Sequence, residues 1–261
     1  MKSESAGGVD RDIMAVKRQG RSGGAVSPLY TIAGILVVGG AVGLWRSGAP
    51  SATAEVLPSE APAEVGTEPG PPVLRAAQAC RNVGYLCSEL ERSERIQLRR
   101  WKDFTGPIVV HVPRPDFEGP ADATRLQQAA AMGLRAWNGQ PFEISADLRG
   151  DRNPRFAVRW SQTLSGNQIG VAQTSWSAPT GLQVVIIELT TRSPFDRNRV
   201  LDADQVRLTA AHEMGHALGL PHSNAPRDVM YPSNTATSMS AQDYRTMESL
   251  YALPDGTEIV R

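Results

Sequence analysis

The chain has 261 residues, enough for one good-sized domain with extensions or for two small ones. Its 27 basic and 27 acidic residues cancel, and no long basic run occurs, which argues against a nucleic-acid partner. Cys80 and Cys87 are the only cysteines, so a disulfide scaffold and a cysteine-built zinc site are both excluded, and any metal must be held by histidine or carboxylate.

Residues 1–21 are polar, carry Lys2, Arg11, Lys17, Arg18 and Arg21, and lack periodicity, which predicts a disordered tail. Residues 22–45 contain no charge, and their core "LYTIAGILVVGGAVGLW" is about long enough to cross a bilayer as a helix. Basic residues before it and Glu55, Glu60, Glu64 and Glu68 after it place the N-terminus in the cytoplasm and the remainder outside. The segment reads as an uncleaved signal anchor. The alternative is a secreted protein, with a leader cleaved near "ATA" at residues 52–54. Gly39 and Gly43 form a small-xxx-small pair of the kind that packs membrane helices. Residues 46–72 are dense in Pro, Ala, Gly, Ser and Glu and predict an extended, flexible linker.

Residues 73–100 mix charges at helical spacing and predict a helical pre-segment on the surface of the C-terminal domain. On a continuous helix Cys80 and Cys87 would be two turns apart, too distant to bridge. With Gly84 breaking the path they can pair, and the outside compartment favours the bridge. The alternative is that one thiolate blocks a metal site.

Residues 101–261 predict one folded domain. "PIVVHVP" at residues 107–113 is a proline-bounded strand. "ATRLQQAAAMGLRAWNG" is an amphipathic helix, with Asp122 as N-cap and Asn138-Gly139 as its stop. "RFAVRW" alternates as a strand, and "NQIGVAQTSW" is a more polar strand suited to an edge. "LQVVIIEL" at residues 182–189 is apolar on both faces and predicts a strand covered on both sides. A helix entered through Asp202 or Asp204 comes next, and "SAQDYRTMESLYAL", with an S-x-x-D start at Ser240 and Asp243, is the last helix. The order defines an α+β domain.

Three of the four histidines fall within "AAHEMGHALGLPHSNAPRDVMYP", residues 210–232. His212 and His216 are four apart on the predicted helix, so both face one side and can share an ion. Gly219 can take a positive φ that ends the helix, and Pro221 prevents its resumption. The chain then turns so that His222 becomes a third ligand. Three neutral nitrogens with one open position define a catalytic rather than a structural Zn²⁺ site. Zn²⁺ lowers the pKa of bound water from about 15.7 towards about 7 and polarises a scissile carbonyl. Glu213 is placed to take the water's proton and pass it to the leaving amine.

The extended pattern H-E-x-x-H-x-x-G-x-x-H, with Met230 following in "VMYP", resembles the metzincin zinc peptidases. "AAHEMGHALGLPHS", Met230-Tyr231-Pro232 and "MSAQDYRTMESLY" resemble the matrixin branch, over residues 101–253. The resemblance implies a zincin-like domain with a twisted mixed sheet and three main helices, preceded here by the single membrane span. It implies one catalytic Zn²⁺, and protein or peptide substrates lying antiparallel to an edge strand that includes Gly170, Val171 and Ala172. It further implies a Met-containing turn under the metal and a specificity wall after Met230, where Asn234 stands in place of the usual tyrosine. His111 is then a packed or surface residue, without the structural zinc of vertebrate matrixins. Asp147, Asp151 and Asp196 are the candidates for calcium, although loop aspartates commonly serve turns. The competing reading is a non-catalytic, zinc-stabilised binding domain displayed on the membrane. Glu213 discriminates, because a binding module has no need of a carboxylate there. Nothing in the sequence bears on oligomeric state.

Overall fold

The structure, a computed structural model, describes residues 70–102, 106–139 and 141–261, together with the backbone of residues 36–37. The expected tail, the linker to residue 69 and most of the expected span lie outside the described residues. Leu36–Val37, inside that span, form a two-residue strand, β1. Among the described residues no helix is long and apolar enough to cross a membrane.

The predicted helix over residues 73–100 is replaced by short pieces. Val73–Arg75 form strand β2, Ala76–Ala79 a single turn α1, Ser88–Glu91 a 3-10 turn, and Arg95–Gln97 strand β3. Two constraints override the helical charge spacing. A disulfide joins Cys80 to Cys87, with Gly84 at φ +60° turning the chain between them. Both strands also pair with a C-terminal strand, Glu258–Val260, and both Leu74 and Ile96 oppose the fully buried Ile259.

The main sheet is built from Ile108–His111 (β4), Ile144–Asp147 (β5), Phe156–Ser161 (β6), Gly170–Ser177 (β7) and Gly181–Thr190 (β8). The C-terminal strand is therefore β9. The sheet order is β1-β7-β8-β6-β4-β5, and the β7–β8 hairpin is the antiparallel pair in an otherwise parallel arrangement. It is a mixed α/β architecture of the kind a matrixin catalytic domain has. Phe156, Val158 and Trp160 are buried, as the alternation of β6 requires. In β8 the expectation of cover on both faces fails at its first half, where Gln183 and Val185 are exposed, Val185 by 61%. On its outer side β7 pairs with β1 at Gln173 and Thr174.

Helix α2, Pro120–Leu134, starts earlier than its Asp122 suggested. Pro120 supplies a preset φ at the first helical position, and Asp122 sits in the first turn with an ion pair to Arg125 at 2.6 Å. Helix α3, Ala203–Ala217, is capped by Asp202 through a capping box with Gln205. Helix α4, Ala241–Ala252, has the same device at Ser240 and Asp243. The helix pair α2 and α3 forms the core with the sheet. Trp137, fully buried, locks it by donating from its indole N–H to the Ala211 carbonyl at 2.8 Å.

Candidate metal centre

Helix α3 presents His212 and His216 one turn apart, and both are buried. The helix stops where Gly219 takes φ +103°. A side chain there would meet the Arg99 carbonyl at 2.1 Å, so glycine is required both for the turn and for the approach of residue 99. Pro221 follows, and His222 comes back to the pair: His216 Nε2 and His222 Nε2 are 3.1 Å apart. Candidate ligand atoms of the three histidines lie within 4.8 Å of one another, the one such group of three or more among the described residues.

The rings are oriented by their other nitrogens. His212 Nδ1 donates to the Val229 carbonyl at 2.7 Å, and His216 Nδ1 donates to the Leu220 carbonyl at 2.8 Å. Those bonds place the proton on Nδ1 and leave Nε2 as a bare lone pair. His212 Nε2 is buried with no partner in the protein. Burial first, then the neighbouring imidazoles, hold His212 well below its ordinary pKa. Burial and His222 bring His216 down to about 3. Burial and the charge of Arg92 lower His222. All three are neutral at physiological pH, the state in which imidazole ligates a metal. A buried lone pair without a donor, converging on two more nitrogens, fits a divalent cation of the Zn²⁺ type.

Glu213 lies beside this cluster, wholly buried, with neither carboxylate oxygen hydrogen-bonded within the protein. Burial raises its pKa well above the ordinary value, and the Ala172 backbone amide, near the acid but outside hydrogen-bond geometry, offsets this only in part. Its approach to β7 depends on Gly170, where a Cβ would meet Thr209 Cγ2 at 2.5 Å and Glu213 Oε1 at 2.7 Å. The acid therefore faces the strand that carries Gly170, Val171 and Ala172.

Met230 is fully buried against α3. A Cβ on Gly215 would meet its sulfur at 2.3 Å. The turn carrying Met230 and Tyr231 is closed by the Tyr231 N–H donating to the Asp228 carbonyl at 3.1 Å. Its amides are held by Asp243: Val229 N–H donates to Oδ2 at 2.9 Å and Met230 N–H to Oδ1 at 3.4 Å. Beyond Pro232, Asn234 donates to the Gln205 carbonyl at 3.2 Å, tying this segment to the start of α3. On the other side of the histidines a cavity of about 490 Å³ adjoins His216 and His222, walled by Leu86, Ile96, Arg99, Thr174 and Leu182.

The other candidates lie elsewhere. His111 Nδ1 donates to the Asp147 carbonyl at 3.1 Å. The Asp147 carboxylate accepts the amides of Arg149, Gly150 and Arg152, Asp151 pairs with Arg149, and Asp196 accepts the Asn198 amide. Cys80 and Cys87 are bonded to each other, so neither offers a thiolate to the histidines. The sequence pattern does not reveal Tyr85, Ser88 or the structural reach of Asp243. Only Asp243 carries a signal, as the N3 residue of a cap.

Residues 136–252 match the Matrixin family. Over 53 residues, 18% of this chain and 11% of the relative, the protein is 47% identical to macrophage metalloelastase of Rattus norvegicus. Over 69 residues, 23% of this chain and 10% of the relative, it is 42% identical to matrix metalloproteinase-9 of Canis lupus familiaris. Over 61 residues, 22% of this chain and 9% of the relative, it is 38% identical to matrix metalloproteinase-15 of Homo sapiens. The chain thus spans about a tenth of the length of these curated relatives. Fold, histidine cluster and similarity together point to the class of metalloendopeptidases. Within that class, the similarity over residues 136–252 is to the matrixin type.

Proposed function

We propose that this protein is a zinc-dependent endopeptidase that hydrolyses peptide bonds of protein substrates outside the cytoplasm. The observation that carries the reading is the pairing of two unsatisfied buried groups: His212 Nε2 at the tri-histidine cluster and the Glu213 carboxylate next to it. A purely structural site has no reason to keep an unpartnered acid there.

His212, His216 and His222 would hold the ion. When bound, Zn²⁺ supplies Lewis acidity to water and to a peptide carbonyl. Glu213 is the general base: its carboxylate takes a proton from the attacking water and returns it to the departing amine. Its burial excludes competing water and keeps the proton it carries available to the leaving group.

Strand β7 offers main-chain groups to an extended peptide, a mode tolerant of varied side chains. Leu36–Val37 lie parallel on that edge, so an antiparallel substrate would take their place. In that direction, residues N-terminal to the cleaved bond run past Thr174 and the cavity beside His222. The segment from Met230 through Pro232 to Asn234 walls the opposite side. The uncharged run at residues 22–45 supports placement outside the cytoplasm, as anchor or as leader.

The test is incubation of the full chain with a diverse peptide mixture and sequencing of the new termini. Cleavage that stops with a chelator and returns with Zn²⁺ is expected. Zn²⁺ binding without any cleavage would instead favour the non-catalytic binding domain.

A further inference from the structure

Residues 80–99 precede the segment with matrixin similarity, yet their groups end on the scaffold of the histidine cluster. Tyr85 is buried, and its hydroxyl donates to Asp243 Oδ1 at 2.9 Å. Burial, then the Asp243 charge, raises its pKa well above the ordinary value, so the proton stays on the phenol. The backbone N–H of Tyr85 donates to Thr246 Oγ1 at 3.3 Å, fixing the residue on α4. Asp243 in turn holds the Val229 amide, and the Val229 carbonyl accepts from His212 Nδ1. One chain of hydrogen bonds therefore runs from Tyr85 to the first metal ligand.

A second contact reaches the third ligand. Ser88 Oγ donates to the backbone carbonyl of His222 at 2.7 Å. His212 and His216 each have an Nδ1 bond to a carbonyl, but among the described residues His222 has none. Its placement falls to its backbone, and Ser88 grips that backbone. The Cys80–Cys87 disulfide closes the loop that contains Tyr85 and ends next to Ser88.

We propose that Tyr85 and Ser88 are positioning residues for the metal centre, acting through Asp243–Val229 on His212 and through the main chain on His222. The inference rests on the zinc reading above. Without the phenol, a buried carboxylate oxygen loses a donor and the turn at residues 228–231 relaxes. The carbonyl that aims His212 then moves. Loss of such outer partners typically weakens metal binding 10–100-fold.

The experiment uses the full chain with Tyr85→Phe, Ser88→Ala, Ser88→Thr and, as control, Tyr244→Phe. Tyr244 sits next to Asp243 on α4, but its hydroxyl donates to the Ala136 carbonyl at 3.1 Å and takes no part in the Asp243–Val229–His212 chain. Zn²⁺ affinity is read by chelator competition, and ligand geometry by the visible spectrum of the Co²⁺-loaded protein. Tyr85→Phe and Ser88→Ala should each weaken Zn²⁺ about 10-fold and change the Co²⁺ spectrum. Ser88→Thr should restore both, and Tyr244→Phe should change neither. Wild-type affinity and spectrum in Tyr85→Phe and Ser88→Ala would overturn the inference alone, as would an equal loss in Tyr244→Phe. A wild-type chain that binds no Zn²⁺ would overturn the zinc reading as well.

Discussion

Glu213→Gln is the sharpest perturbation of the proposed chemistry. The amide keeps the volume of the acid and removes its ability to exchange a proton. General-base catalysis contributes about 10²–10⁴-fold, equivalent to about 2.7–5.5 kcal/mol of barrier. Peptide cleavage should fall by that factor, while Zn²⁺ affinity stays within about threefold, because outer partners rather than Glu213 orient the ligands. The stability of the metal-free protein should respond in the opposite sense. Burial raises the folded-state pKa of Glu213, so above the ordinary carboxylate range the folded chain holds a proton that the unfolded chain has released. The stability contribution is complete below that range and is lost as pH rises towards the folded value. Each pH unit in that window costs up to about 1.4 kcal/mol. Glutamine has no such slope, so metal-free Glu213→Gln should gain on the wild type as pH rises. Denaturant unfolding of both chelated proteins from acid to neutral pH measures this. Near-wild-type cleavage by Zn²⁺-loaded Glu213→Gln would refute the base assignment, and parallel stability curves would refute the buried, proton-holding state.

Gly170→Ala should push the Glu213 carboxylate and Thr209 aside and cut cleavage about 10-fold or more, with Zn²⁺ affinity unchanged; equal cleavage would show that the close approach of β7 is not needed. Glu188 is buried between β6 and β7. Burial alone would raise its pKa, but hydrogen bonds from Arg159 and Ser161 and the Arg159 charge pull it below the ordinary value. Its contribution is therefore present above the ordinary carboxylate range and lost as pH falls below that range through the lower folded value, so Glu188→Gln should flatten the acid limb of a stability–pH curve. Reduction of the Cys80–Cys87 bridge should lower the unfolding free energy by about 2 kcal/mol, as expected for a short loop, and calorimetry with and without reductant reads it.

The candidate metal ligands are legible in the sequence because they are local. Residues 212–222 hold all three histidines, the acid and the helix-ending glycine, and helix geometry decides which of them share a face. The longer strands and helices are legible from periodicity. The failures have non-local causes. The charge spacing of residues 73–100 is helical, but pairing of Leu74 and Ile96 with Ile259 and the disulfide decide the outcome. Strands β5 and β9 are too short, at 4 and 3 residues, for alternation to stand out. Tyr85 and Ser88 find their partners 158 and 134 positions away, a distance no local pattern encodes.

That division has a physical reason. A helix and a tight turn suffice to bring three imidazoles together, but not to aim them. Imidazole can rotate about its side-chain bonds, and each wrong orientation points the lone pair away from the ion. Aiming needs acceptors at fixed places, and these come from the main chain of the turn after the motif, at Val229, and from Leu220. A turn with free amides is itself soft, so Asp243 binds two of them and accepts a further bond from Tyr85. Met230 fills the space beneath α3 that the absent side chain of Gly215 leaves, which keeps the turn from sliding. Among the described residues, the buried side-chain atoms left unpaired are concentrated at the candidate metal centre: His212 Nε2 and both oxygens of Glu213, with Asp228 Oδ1 on the supporting turn. Where the other buried side-chain polar groups of the described residues are satisfied, the fold can hold those few unsatisfied ones in place, and a bound cation would satisfy the one at His212.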